Sequence, residues 1–434
     1  MTERYDAIII GAGVIGAALG LELSRRGFRT LNVDRLPASG YGSTSASCAI
    51  IRTHYSTVDG AAIAYEGYFY WKHWADYLGF DDERGLAEFR DTGCLVMKTE
   101  QNGYLEKIKA NMDSLGIPYQ EWELARIRAR LPFYETKHFG PPRRPDDPGF
   151  GEPDDQPLAG GVFFPAAGYI TDPQLATHNL QRAAEAAGGR FRFKADVVEI
   201  RKDPDGHIAG VTLAGGEQID APVVVNVAGP HSYKVNAMAG AAADMNIGTK
   251  ALKVEVAHVP MPVDDYDETG LVTSDSDIGC YSRPEKGSFL LIGSEDPPCD
   301  TREWVDPDDF DHDFSEQWRV QVLRMAQRIP SLGVPSRLRG VVDLYDVADD
   351  WIPIYDKSCI PGYYMAIGTS GNQFKNAPVA GALMAELIAR CEAGHDHDAE
   401  PLRFHLQQTG RSIDLGFYSR RRTINEESSF SVLG

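Results

Sequence analysis

Three glycines, Gly11, Gly13 and Gly16, stand at G-x-G-x-x-G spacing, and an acidic residue, Asp34, follows downstream. The first glycine lets a strand turn tightly, the second lets backbone approach a pyrophosphate, and the third packs helix on strand. The free N–H groups and the dipole at the helix start can then hold phosphates. The carboxylate of Asp34 can accept both hydroxyls of an adenosine ribose. The pattern points to dinucleotide binding; the alternative is a glycine-rich turn with a chance acid. Arg52 closes the apolar run Ala49-Ile50-Ile51. Its planar fork suits a two-point grip on a carboxylate, although a lone arginine more often pairs with a surface acid. Lys375 follows the loop Gly368–Gly371, where a ligand can approach backbone closely, and the dipole of the helix it opens disfavours it there. Tyr281 and Tyr345 serve as core aromatics as readily as substrate contacts. His54 and His231 lack partners at the spacing of a metal site or a triad, so they read as structural and no metal is expected.

The elements that must position these residues can be read from the apolar pattern. Ala7 to Ile10 is a strand buried on both faces, and Ile15, Ala18, Leu19 and Leu23 recur at helical spacing until Gly27. Thr30 to Val33 is a second strand, ending on Asp34. Gly42 to Ser47 is rich in small and hydroxyl residues, a second place for backbone and Ser43, Thr44 and Ser47 to touch a long cofactor. A second αβ run begins at Pro173 and ends in the strand Pro222–Val227, leading into Asn226 to Pro230 with Gly229. Strand, glycine loop and helix recur from Tyr364 to Gly381. The fold class expected is α/β: a discontinuous Rossmann-like domain with a second, α+β domain on an antiparallel sheet. The boundaries expected are 1–90, 158–232 and 345–395 for the first domain, 91–157 and 233–344 for the second, and 396–434 as a C-terminal segment. Pro132 to Leu158 is too polar for core and reads as a surface excursion or a lid; the acidic run Glu295 to Asp313 reads as a solvated loop.

The 434 residues carry a net charge of −20, which argues against nucleic acid or an anionic membrane as a partner. An anionic small substrate would need a local basic site. There is no room before the first strand for a signal peptide and no apolar run long enough to span a membrane, so a cytoplasmic location is expected. The scattered cysteines read as free thiols.

The glycine fingerprint, Gly42 to Arg52, Asn226 to Pro230 and Gly368 to Pro378, in that order, resemble the D-amino-acid-oxidase-like superfamily of FAD enzymes. Within it the branch of monomeric sarcosine oxidase, glycine oxidase and dimethylglycine dehydrogenase is most similar. The resemblance implies FAD lying extended across the first domain. Val198 would make a backbone contact to adenine, Ser43, Thr44 and Ser47 would lie along the pyrophosphate, and Gly368, Ser370 and Gly371 would lie near the pyrimidine edge of the flavin. Arg52 and Lys375 match the pair that clamps a substrate carboxylate, while Tyr281 and Tyr345 match active-site tyrosines. Asn372 and Gln373 replace the His and Gly of the S-G-H-G-F-K motif, so polarity over the flavin edge differs.

Asp343 and a residue near Ala46 stand where relatives carry flavin-anchoring cysteine and histidine, which implies non-covalent FAD. Leu290 or Leu291 stands where sarcosine oxidase has an oxygen-activating lysine, unless Lys286 or Lys253 reaches the flavin instead. The activity implied is oxidation of the C–N bond of a small amino acid or N-alkyl amino acid, by hydride transfer to flavin N5 and hydrolysis of the imine. The electron acceptor is oxygen or another carrier. The alternatives are a 2-hydroxy-acid dehydrogenase using the same clamp, a nicotinamide-dependent dehydrogenase, and a non-catalytic FAD-binding subunit.

Overall fold

Ala7–Ile10, fully apolar and buried along its length, is the centre of the molecule's parallel sheet. It pairs in parallel with Thr30–Val33 on one side and Val223–Asn226 on the other. The full order is Ile354–Lys357, Tyr363–Ile367, Val223–Asn226, Ala7–Ile10, Thr30–Val33 and Arg190–Arg192, with only the first pair antiparallel. Residues 4–434 are described by the structure, a computed structural model. One face of this sheet is covered by the helices Val14–Arg25, Pro173–Ala186 and Ala377–Glu392, which pack on one another. Their contact surface is built from small and aliphatic residues such as Ala17, Ala18, Ala380 and Leu383, all without exposure, so the helices approach closely. The other face carries the antiparallel strands Val197–Lys202, Ile208–Leu213 and Gln218–Asp220.

The second layer is a nine-stranded, largely antiparallel sheet. Its long strand Thr249–Pro260 pairs with Gly340–Ala348 along most of its length and with Phe289–Ser294 at its far end. Cys280–Glu285, Val272–Asp275, Cys94–Met97, Gly161–Phe164 and Gln120–Trp122 continue the sheet. Helix Glu316–Arg328 closes one face of it through Trp318, Val322 and Met325. Among the described residues no helix is long and apolar enough to cross a membrane.

The two-layer α/β architecture agrees with the sequence reading, but the chain passes between layers at other points than expected. Gly161–Phe164, assigned above to the dinucleotide domain, pairs with Cys94–Met97 in the antiparallel sheet. Val235, Ala239 and Ala241, assigned to the second domain, pack with Ile8 and Val224 under the parallel sheet. Gly340–Ala348 runs unbroken across the expected boundary at 344/345. Composition marks a strand but not the sheet it joins, which is a long-range choice.

The Pro-rich stretch is a pinned excursion. Arg328, fully buried, binds the carbonyls of Glu135 and Lys137 at 2.7 Å each and the carboxylates of Asp275 and Asp277. Asp277 in turn accepts the backbone N–H of Phe139 and Gly140. The C-terminal segment is also fixed. Arg420 is buried between Asp244, Asp356 and Asp398, and Arg422 pairs with Asp350. Groups of this kind cost desolvation and survive by mutual pairing, so removing one partner is expensive.

Candidate active site

A cavity of about 610 Å³ runs along the carboxyl ends of the parallel strands and under the antiparallel sheet. At one end stand Gly11, Gly13, Gly16 and Asp34. Gly11 has φ +119°, and a Cβ there would lie 2.3 Å from the carbonyl oxygen of Val227, so only glycine fits. The carboxylate of Asp34 accepts the backbone N–H groups of Ala12 (2.8 Å) and Leu36 (2.9 Å), which fixes it at the strand end. Thr44 accepts the N–H of Val14 at the helix start, and Ser43, Ser47 and Gly229 share the same wall. The helix terminus, small-residue wall and fixed acid fit the diphosphate and ribose of a dinucleotide cofactor.

The wall beside the Asp34 end is made by Ala195, Asp196 and Val197. Val198 is exposed and not part of it, beside a register shift between Val197 and Glu199 that interrupts the strand's regular alternation. Pro307, Asp308, Phe310 and His312, from the run expected to be solvated, also line the cavity. Asp308 explains why: it pairs with Arg35 (2.7 Å), His231 (3.1 Å) and Lys234 (2.6 Å), and the hydrogen bonds from Lys234 and Arg35 hold its carboxyl well below the usual range. Those partners are distant in sequence, so a local reading of charge misses the bond.

At the other end, Arg52, His54, Cys94, Thr273, Ser274, Tyr281, Tyr345 and Lys375 surround the cavity. Arg52 is buried, donates to the carbonyls of His54 and Val432, and lies over the ring of Tyr55 at 4.4 Å. Lys375 is buried and donates to the Tyr55 hydroxyl (3.1 Å) and the Asn372 carbonyl (2.6 Å). Neither has a carboxylate partner among the described residues. Burial and the Arg52 charge hold the Lys375 ammonium well below the usual lysine range. His54, stacked on Phe164 at 4.3 Å, is likewise held neutral by burial and by the two cations.

Burial keeps the phenols of Tyr281 and Tyr345 protonated. Gly371 seats the loop on Tyr345: its φ is +70°, and a Cβ there would meet the Tyr345 ring at 2.5 Å. Gly371, Asn372 and Gln373 line the cavity, whereas Gly368 and Ser370 shape the loop behind it. The Gly368 N–H donates to the Asp346 carboxylate at 2.6 Å, and the Ser370 hydroxyl donates to the Gly368 carbonyl.

Asp346, fully enclosed, has its carboxyl pushed up to about 7 by burial. Glu295 is pushed up to about 7 in the same way, and accepts the hydroxyls of Ser274 and Ser276 just behind the cavity wall. Asp343 lines the cavity; Leu290 is buried in the sheet's other face, and neither Leu291, Lys253 nor Lys286 is on the wall.

Fold and cavity together define a two-layer enzyme with an extended dinucleotide groove leading to a cationic pocket. The chain belongs to the FAD dependent oxidoreductase family, whose profile matches residues 6–387. The nicotinamide alternative is thereby set aside. The chain is 25% identical to glycine oxidase of Geobacillus kaustophilus, over 94% of this chain and 100% of that one. It is 24% identical to sarcosine oxidase subunit beta of Rhodobacter capsulatus, over 95% and 91%. The fold is similar to that of L-proline dehydrogenase from P. horikoshii, with TM-score 0.77, 19% identity, and coverage of 97% and 98%. Glycine oxidase from Geobacillus kaustophilus superposes with TM-score 0.71 at 23% identity, over 92% and 98%.

Proposed function

We propose that the enzyme oxidises the C–N bond of a small amino acid or N-alkyl amino acid, with FAD held non-covalently. The observation that carries this reading is a buried guanidinium, Arg52, beside a buried lysine, Lys375, on one cavity wall, neither with a carboxylate partner among the described residues. A buried cation without a partner is costly, so the pair is a site built for an anion supplied from outside. The fork of Arg52, fixed by two backbone carbonyls, keeps further donors for a carboxylate. Relatives named for glycine and sarcosine oxidation support an amino acid as the owner of that carboxylate.

Arg52 and Lys375 would hold the carboxylate, and Tyr281 and Tyr345 would close over the rest of the substrate. FAD, when bound, supplies the acceptor for the hydride leaving the substrate carbon. The protein's own contribution is orientation and exclusion of water, since among the described residues no histidine–acid pair stands at this end and His54 is kept neutral. The two phenols, kept protonated, can hydrogen-bond the substrate but do not act as bases at neutral pH. Asp343 and Ala46, side chains that do not form flavin links, support non-covalent FAD.

Turnover with an artificial acceptor tests the reading. Glycine or an N-methyl amino acid should yield one equivalent each of amine or ammonia and of carbonyl product. Oxo-acid formation from 2-hydroxy acids alone would reject it.

A further inference from the structure

Residues 428–434 reach the pocket of Arg52 and Lys375 from outside both sheets. The carbonyl oxygen of Val432 accepts from Arg52 Nη2 at 3.0 Å, and Val432 and Leu433 line the cavity. The carbonyl of Gly434 accepts the N–H of Ser56 at 3.0 Å, and Gly434 lies against the ring of Tyr55 and against Arg52. Tyr55 is the residue whose hydroxyl contacts Lys375, so the segment touches both halves of the clamp's support.

The segment is anchored at several points before it gets there. The Phe430 carbonyl accepts from Arg302 at 2.8 Å, and the Glu427 carbonyl accepts from Lys107 at 3.3 Å. Phe430 and Val432 pack on Leu252, Val347 and Trp351, in a cluster with the cavity residues Val254 and Tyr345. Each anchor lies on a different element, so the segment is held as a wall and not as a free end.

We propose that residues 428–434 form the wall of the substrate pocket facing Arg52, and that Val432 and Leu433 set the size of the substrate side chain accepted. The inference rests on the carboxylate reading of Arg52 and Lys375 and adds a specificity element to that site. A substrate held by its carboxylate at Arg52 has its carboxylate end within reach of the Val432 carbonyl, so substituents near that end meet this segment. The Val432 carbonyl also orients the Arg52 guanidinium.

The test uses the FAD-loaded enzyme and carboxylate ligands of graded size: acetate, propionate, isovalerate and benzoate. Binding is read from the shift of the flavin absorbance, and so does not depend on turnover. Wild type should bind the small acids and reject benzoate, and Arg52→Ala should lose them all while keeping FAD. The double variant Val432→Ala/Leu433→Ala should gain at least tenfold in the affinity ratio of benzoate to acetate. Leu433→Trp, which leaves the backbone contacts in place, should move that ratio the other way.

An unchanged size profile in both tail variants, with Arg52→Ala still losing the ligands, would overturn the wall and leave the clamp standing. Tighter binding of every acid after deletion of 432–434 would mean the segment competes with substrate, and would overturn it too. Failure of wild type to bind any of these acids would overturn the clamp reading itself, and this inference with it.

Discussion

Arg52 and Lys375 carry the account at the scale of single residues, because each is a buried basic side chain without an acid partner among the described residues. Replacing either by alanine should weaken substrate binding by about 1.5–3 kcal/mol, the usual worth of a charge-assisted contact, while the flavin spectrum stays unchanged. Kinetics under anaerobic conditions give the first quantity and titration of released flavin the second. Lys375 adds a pH dependence. Burial and Arg52 keep its ammonium well below the ordinary range, and a carboxylate arriving beside it favours the charged form. Binding of a carboxylate therefore takes up a proton between the free-enzyme and the complex value, so affinity falls as pH rises through that window and levels off above it. Isothermal titration of acetate in buffers of different ionisation heat should show that uptake, and Lys375→Met should lose it. Proton uptake that persists in the variant would assign it to another group. Arg52 and Lys375 could be singled out from the sequence because each follows a recognisable local pattern, an apolar run and a glycine loop. Glu295 and Asp346 could not, since an acid enclosed by the far side of a sheet looks like any other acid in the chain.

At the scale of elements, two glycine-bearing turns and two enclosed carboxyls make the strongest claims. Gly371→Ala places a Cβ against the Tyr345 ring in a left-handed conformation, so the loop must shift. The expected cost is at least about 1 kcal/mol, together with weaker FAD retention, read by thermal melting and by gel filtration. Asp346 and Glu295 give a sign for stability against pH. Both carboxyls are pushed up to about 7 in the folded protein, against about 4 for an exposed carboxyl. Between those values the folded chain holds protons the unfolded chain has released, so stability falls as pH rises through that window and levels off above it. Urea midpoints at pH 5 and pH 8 should differ accordingly, and Asp346→Asn should flatten the slope; a steeper slope in the variant would contradict the assignment. The first strand, its glycines and its helix were legible in the sequence because their contacts are local. The exchange of Gly161–Phe164 into the antiparallel sheet was not, because hydropathy does not name a partner strand. The contact between Arg52 and Val432 spans 380 residues, and no pattern in the C-terminal segment announces it.

For the whole molecule, the charges divide the cavity. Arg35 and Lys234 are tied up with Asp308 at one end, while Arg52 and Lys375 are basic side chains at the other. Oxygen activation benefits from a fixed cation beside the flavin. Neither Lys253 nor Lys286 lines the cavity, and Lys253 is engaged with Glu303 at 3.7 Å. Reoxidation of the reduced enzyme by air-saturated buffer is therefore expected to be slower than turnover with artificial acceptors, as stopped-flow mixing can show. Reoxidation as fast as turnover would make the protein an oxidase and require a cation other than Lys253 or Lys286 beside the flavin. The central claim of the proposed function is that the pocket holds the carboxylate of an amino acid whose C–N bond is oxidised. Its most direct test is anaerobic bleaching of the FAD-loaded enzyme by three matched compounds: an amino acid, the amine lacking its carboxylate, and the corresponding 2-hydroxy acid. The account predicts bleaching by the amino acid alone, lost in Arg52→Ala at the same concentration. Bleaching by the amine or the hydroxy acid in preference to the amino acid would contradict it.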